Sequence, residues 1–174
     1  AIGAALAQHD PVGATWLEAG LRKYPRDARI LNLAGQQAAQ RGDYARAERF
    51  WREALALRAR LYALIRSFFA ERGVLEVETP ILSEAANTEP NIESFSTTFT
   101  GPTQSPSRQR WLRTSAEFPM KRLLAAGVGD CYELGRVFRN GEVGRRHNPE
   151  YSMLEWYRVG WNHLRLIDET VELV

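Results

Sequence analysis

Residues 138–151, Phe-Arg-Asn-Gly-Glu-Val-Gly-Arg-Arg-His-Asn-Pro-Glu-Tyr, bring together side chains that hold anions, stack on rings and take amines. Arginine presents a planar fork of donors that matches phosphate oxygens. Arg139, Arg145 and Arg146 supply three such forks, with His147 beside them. Tyr151 offers a ring for a base, and Glu155, four residues on, offers a carboxylate for an amine. The combination could hold a nucleoside triphosphate next to an amino group.

These residues need a scaffold, and the flanking pattern supplies one. Runs 132–139 and 150–158 are strand-like, and the polar stretch 140–149 is rich in Gly, Arg and Asn and holds Pro149. The unit reads as a β-hairpin with a long loop. Alternation with period two puts Tyr151, Met153, Glu155 and Tyr157 on one face of the second strand, and Ser152, Leu154 and Trp156 on the other.

Upstream, 74–78 predicts a short strand that Pro80 must end, because proline donates nothing to a ladder. An edge strand is expected over 94–99, then a Pro- and Ser-rich turn over 101–107. The run 111–113 leads into Thr114-Ser115-Ala116-Glu117 and a helix reaching Gly127. Ser115 is the expected N-cap, with Glu117 in the first turn, where the helix dipole favours negative charge.

Residues 1–57 have another character, Ala-rich and helical. Breaks fall at Asp10-Pro11 and Pro25-Arg26-Asp27, and Gly42-Asp43-Tyr44 forms a tight turn. From Ala28 the spacing resembles a tetratricopeptide repeat, with Leu31, Gly35 and Ala38 on one helix and Ala47, Trp51, Ala54 and Leu55 on the next. Small residues at Gly35, Ala47 and Ala54 would let the helices approach, while Tyr44, Phe50 and Trp51 fill the gaps. About one and a half repeats do not bury a continuous core alone. Helical pattern then continues from 45 to 72 without a stop until Gly73. The last repeat helix is therefore expected to run straight into the first helix of the 58–174 part, as in a fusion, natural or engineered.

Composition bounds the rest. The chain has 174 residues, 44% hydrophobic and 25% charged, within the range of a globular protein. Residues 1–57 hold eight Lys and Arg against six Asp and Glu, whereas 58–174 are balanced. That excess is too small to imply nucleic-acid binding. Cys131 is the single cysteine, which excludes an intrachain disulfide and a cysteine-cluster zinc site and fits a cytoplasmic setting. No apolar run approaches membrane-spanning length.

The segment 138–157, with its Phe-Arg-Asn, His-Asn-Pro-Glu-Tyr and Glu-x-Tyr, resembles motif 2 of the class II aminoacyl-tRNA synthetases in its lysyl form. Residues 58–82, a helix, Gly73, a strand and Thr-Pro, resemble motif 1, which builds the dimer interface in that family. Met-Lys-Arg-Leu-Leu and His-Asn-Pro-Glu-Tyr-Ser-Met-Leu-Glu-Trp-Tyr-Arg are similar to the branch that ligates lysine to elongation factor P. Ala-rich helices stand where lysyl-tRNA synthetases carry an anticodon-binding barrel.

The resemblance implies an α+β fold: a helical repeat hairpin over 1–57, then the N-terminal part of a class II synthetase-like antiparallel sheet domain over 58–174. It implies an ATP-dependent ligase that uses Mg²⁺, activates lysine or β-lysine as an adenylate and transfers it to a lysine of elongation factor P. A lysyl-tRNA synthetase fragment and a non-catalytic, repeat-containing interaction protein are the alternatives.

In the relatives' roles, Arg139 would bridge the α-phosphate and the substrate carboxylate. Arg145, Arg146, His147 and Asn148 belong to the loop over the phosphates, Tyr151 would stack on adenine, and Glu142 would take the adenine amino group. Glu117, Glu155 and Tyr157 would face the substrate amines. The chain departs from the relatives at Gly141, where they often have Glu, and at Ala116, where Pro is usual. No motif 3 occurs before Val174, so half an active site and no activity alone are expected. A homodimer through the motif 1 region, a protein partner for the repeat segment and no membrane association complete the expectations.

Overall fold

The computed structural model describes residues 11–144 and 147–174. It divides into two compact units, one ending at Leu64 and the other spanning Ile65–Val174.

The first unit is helical. Helix α1 is Pro11–Lys23, α2 is Ala28–Gln40 and α3 is Tyr44–Glu71. Asp27 caps α2, accepting from the backbone N–H of Arg29 at 2.8 Å and of Ile30 at 3.4 Å. Its ion pair with Arg29 holds its carboxyl below the usual range. Gly42, at φ 77°, makes the turn, and Asp43 accepts from the Arg46 amide at 3.0 Å to start α3. Leu17 and Ala34 centre the core, with Leu21, Ile30, Leu33 and Phe50 around them. Gly35 is needed where it stands, since a Cβ there would collide with the Trp51 indole. The expected gap-filling holds for Phe50, which packs on the core, but not for Tyr44, which is 72% exposed. Tyr44 is the first residue of α3, where its ring projects from the helix start into water.

The α3 helix continues through 65–71 into the second unit, matching the expected 45–72 to one residue at each end. It stops as its sequence dictates. Gly73 takes φ 67°, and the Val74 N–H returns to the Phe69 carbonyl at 3.0 Å.

The second unit has two small sheets. Strands β1 (Leu75–Glu76), β5 (Cys131–Phe138) and β6 (Glu150–Tyr157) form one, in the order β1-β5-β6. Strands β2 (Leu82–Ser83), β3 (Ser96–Thr98) and β4 (Gln109–Leu112) form the other, in the order β2-β4-β3. Helix α4 is Glu117–Ala125 and α5 is His163–Leu173. As expected, β5 and β6 pair antiparallel, in register from Cys131 opposite Tyr157 to Phe138 opposite Glu150. The strand expected over 74–78 shrinks to two residues and pairs parallel with β5. Backbone bonds from Arg113 N–H to the Ile81 carbonyl and from Phe138 N–H to the Arg113 carbonyl, both 2.9 Å, tie the two sheets together.

One face of the β5–β6 hairpin is the core. Phe69 is fully buried, its ring stacked 4.4 Å from Tyr132 and tilted 5.6 Å from Trp156, with Ile65 and Val74 beside them. Burying a phenylalanine side chain stabilises a fold by about 1.5–3 kcal/mol, so this face anchors the hairpin. The opposite face sets Glu133, Glu155, Tyr151 and Tyr157 among apolar neighbours, and its Cys131 end packs on Ala116 and Met120.

Candidate functional site

Strand alternation fixes which side chains reach the polar face. Cys131, Glu133, Gly135 and Val137 of β5 stand directly across from Tyr157, Glu155, Met153 and Tyr151 of β6. The expected split of β6 is therefore observed, with Leu154 and Trp156 on the core side.

At one end of this face stand Arg139, Glu142 and Tyr151. The Arg139 guanidinium carbon lies 5.5 Å from the centre of the Tyr151 ring, and its Nη1 is 3.6 Å from Glu142 Oε1. Nε donates to the Thr114 carbonyl at 3.4 Å. The side chains of Arg139 and Glu142 are 23% and 29% exposed, open enough to meet a ligand. Burial raises the Tyr151 hydroxyl's pKa, so the ring stays neutral beside the arginine. Gly141, at φ 75°, turns the chain out of β5, and the Gly144 N–H donates to the His147 carbonyl at 3.1 Å. Asn140 is pinned to Glu93 by its amide, 2.9 Å from the Glu93 carbonyl, and by Nδ2, 2.8 Å from Oε1. His147 and Asn148 are exposed on the loop. Arg145 and Arg146 lie outside the described residues.

At the other end are Glu117, Glu155 and Tyr157. Tyr157 donates its hydroxyl to Glu155 Oε1 at 2.8 Å. Burial raises the pKa of Glu155, and the nearby Glu117 charge adds to that. The Tyr157 hydroxyl and the Ala116 backbone N–H work in the opposite sense. Burial, and then the Glu155 carboxylate, also push the Tyr157 hydroxyl well above its usual range. Glu117 sits in the first turn of α4 and pairs with Lys121 at 2.5 Å. The expected Ser115 cap is corrected. Ala116 occupies the cap position without a side-chain bond, and Ser115 Oγ instead accepts from the Glu117 amide at 3.3 Å. Pro119 fits the first turn, where amides have no intrahelical acceptor.

The arrangement suits a bipolar ligand. A guanidinium and a ring at one end could take a phosphate and a base, while two carboxylates at the other could seat a cation. An ammonium there would relieve the carboxylate repulsion that raises Glu155.

Reading the sequence missed a buried cluster on this face. Arg113 is paired with Glu133 at 2.5 Å, the two side chains 5% and 3% exposed. Thr79 donates its hydroxyl to Glu133 Oε2 at 2.6 Å and accepts from Arg113 Nη1 at 2.6 Å. Gly135 leaves room for them, because a Cβ there would strike Arg113 Nη2 and Glu133 Oε1. A charged residue inside an otherwise apolar strand face, with Gly two positions on, was the available signal.

Comparison with known proteins agrees with this geometry. Residues 41–174 match the family described as tRNA synthetases class II (D, K and N). The chain is 53% identical over 122 residues to the elongation factor P–(R)-beta-lysine ligase of Pasteurella multocida, covering 70% of this chain and 38% of that protein. The ligase of the same name from Vibrio vulnificus is 54% identical, with the same coverage. That from Haemophilus influenzae strain Rd is 53% identical over 117 residues, 67% of this chain and 36% of the relative. The chain thus spans little more than a third of the curated relatives it matches. With motif 2 folded as a hairpin and most of its length matched, the chain belongs to the class II tRNA synthetase family of the D, K and N type.

Proposed function

We propose that this chain is the segment of an ATP-dependent ligase that activates lysine or β-lysine and passes it to a lysine of elongation factor P. The observation that carries the reading is the placement of Arg139 and Tyr151 at one end, and Glu117 and Glu155 at the other, of a single hairpin face. The names of the relatives favour the elongation factor over tRNA as acceptor.

In this reading a substrate carboxylate oxygen attacks the α-phosphorus of ATP, the bond to the bridging oxygen breaks, and pyrophosphate leaves. The acyl-adenylate then yields its acyl group to the acceptor amine, releasing AMP. Arg139 binds the α-phosphate and the carboxylate and offsets charge as the pentavalent state forms; losing a contact of that kind typically costs about 3–4 kcal/mol in the barrier. Tyr151 stacks on adenine. Glu142, engaged with Arg139 here, takes the adenine amino group, and His147, Asn148, Arg145 and Arg146 form the loop over the outgoing phosphates. Glu155, Tyr157 and Glu117 seat the substrate ammonium groups. Mg²⁺ would accompany ATP and screen its phosphates. Among the described residues no cluster of three His, Cys, Asp or Glu could hold a metal ion.

Residues 58–174 are the catalytic part in this proposal, dimeric through the helix–strand region before Pro80. Residues 1–57 are a repeat-like segment for a protein partner. The setting is cytoplasmic. Among the described residues no helix is long and apolar enough to cross a membrane.

The test is pyrophosphate exchange by the full-length protein carrying this segment, with lysine and with β-lysine, followed by transfer of labelled amino acid. Label on elongation factor P is expected. Label on tRNA instead would assign a lysyl-tRNA synthetase, and no exchange with either amino acid would overturn the reading.

A further inference from the structure

We propose that Arg113 is the positioning residue that joins the two ends of the site, holding run 114–117 so that it presents one geometry to both Arg139 and Glu155. This rests on the proposed reading of the site as one that takes ATP and an amine.

Run 114–117 touches both ends. The Thr114 carbonyl accepts from Arg139 Nε, and the Ala116 N–H bears on the Glu155 carboxylate. The Glu117 charge also acts on Glu155, adding to the rise that burial gives it. The run's own side-chain bonds are local, Ser115 Oγ accepting from the Glu117 amide and Glu117 pairing with Lys121, and Ala116 opens α4 without a cap. Arg113 is the residue immediately before it, and all three of its guanidinium nitrogens are engaged. Nε donates to the Arg136 carbonyl at 3.0 Å, Nη1 to the Thr79 carbonyl at 3.0 Å and to Thr79 Oγ1, and Nη2 contacts Glu133. Its backbone is held from both sides, by Ile81 and Phe138. A rigid planar fork with acceptors on two separate segments, β5 and the turn at Thr79, fixes one orientation, which a flexible ammonium cannot do.

Stability does not explain the choice. A buried ion pair gives back much of its attraction as desolvation, and apolar residues of similar volume do as well or better. What an apolar pair would lack is direction. Glu133 stands opposite Glu155 in register, so the anchor lies against the carboxylate it serves.

The experiment compares Arg113→Lys with Arg158→Lys in the 174-residue chain. Arg158 is the matched control, a second arginine 7% exposed that pairs with Asp130 and Glu169 outside the site. Two readouts are taken: amide hydrogen exchange without ligand, and separate titrations with ATP and with lysine or β-lysine. Arg113→Lys is expected to speed exchange at Ala116 at least tenfold and to weaken ATP and amine binding together. Arg158→Lys should change neither, although both variants lose thermal stability. If Arg113→Lys unfolds the chain, Thr79→Val, which removes one anchor and keeps the charge pair, should produce the same exchange pattern more weakly. Equal exchange in the Arg113 and Arg158 variants, with ligands still bound by the wild type, would overturn the proposal and leave the site reading standing. Selective loss of protection at Ala116, with no ligand bound by the wild type, would do the reverse.

Discussion

The two faces of the β5–β6 hairpin share one backbone and are held by different physics. On the core face Phe69, Tyr132 and Trp156 pack ring against ring, and their contribution is area removed from water. On the polar face Glu133 and Arg113 are buried and Glu155 and Tyr157 half-buried, and each depends on a named partner. Non-directional packing tolerates adjustment, whereas a buried charge tolerates none of its partners leaving. One face should therefore govern whether the unit folds, and the other how accurately it is shaped.

Breaking the core face should give the largest effect. Phe69→Ala removes a fully buried ring from the centre of the cluster, and such truncations cost about 3–5 kcal/mol. Urea denaturation followed by tryptophan fluorescence, to which Trp111, Trp156 and Trp161 contribute from the second unit, is expected to show that unit largely unfolded, while circular dichroism retains the helical signal of the first.

Breaking the polar face should cost nearly as much for a different reason. Arg113→Met leaves the buried Glu133 carboxylate with the Thr79 hydroxyl but without its counter-charge, and stranding a partner of that kind costs about 3–5 kcal/mol. The comparison sharpens in the double variant Arg113→Met, Glu133→Leu, which leaves no unpaired charge at this pair. Its stability is expected to return close to wild type in the same denaturation experiment. No second substitution on the core face should rescue Phe69→Ala so fully.

The two faces also differed in how legible they were. The helix to residue 72, its Gly73 stop and both long strands followed from apolar spacing and turn residues, because those patterns are local. Arg139, Tyr151 and Glu155 could be singled out because they lie close in sequence. Arg113 and Glu133 were passed over, since their pairing joins segments far apart in the chain and leaves no periodic trace. The parallel pairing of β1 with β5 and the β2–β4 ladder were hidden for the same reason, and with two residues each from β1 and β2 neither shows a readable alternation. The Tyr44 ring was expected inside because aromatics fill gaps between helices, but its place at the helix start sends it outward.

A smaller effect is expected at Gly135. The added methyl of Gly135→Ala meets the Arg113–Glu133 pair rather than a deformable side chain. Overpacking a site of this kind costs about 1–3 kcal/mol, and the thermal midpoint should fall accordingly. A midpoint within error of wild type would mean the ion pair is free to shift, which contradicts its role as a fixed anchor.

At the ligand end, Tyr151→Ala should leave the fold intact and weaken ATP alone. Stacking on a base is worth about 1–3 kcal/mol, so the Kd for ATP is expected to rise tenfold or more in calorimetry. Binding of the amino acid should hardly change.

The mildest perturbation is a change of pH, and its sign separates the faces once more. The ring packing of Phe69, Tyr132 and Trp156 is apolar burial, whose contribution does not itself titrate in the weakly acidic range. Glu155 differs, because burial raises its folded pKa above the unfolded value. Below the ordinary carboxylate range it is protonated in both states and costs the fold nothing. As pH rises from that range through the raised value, the unfolded chain loses its proton first, and stability declines. Amine binding should run the opposite way. An ammonium needs the ionised carboxylate, so affinity for lysine or β-lysine should rise over the same interval, with a proton released on binding. Denaturation at several pH values measures the first trend, and calorimetric titrations in two buffers of different ionisation enthalpy measure the second. In Glu155→Gln the decline in stability and the proton release should vanish together. If only one disappears, Glu155 is not the group that links the polar face to its ligand.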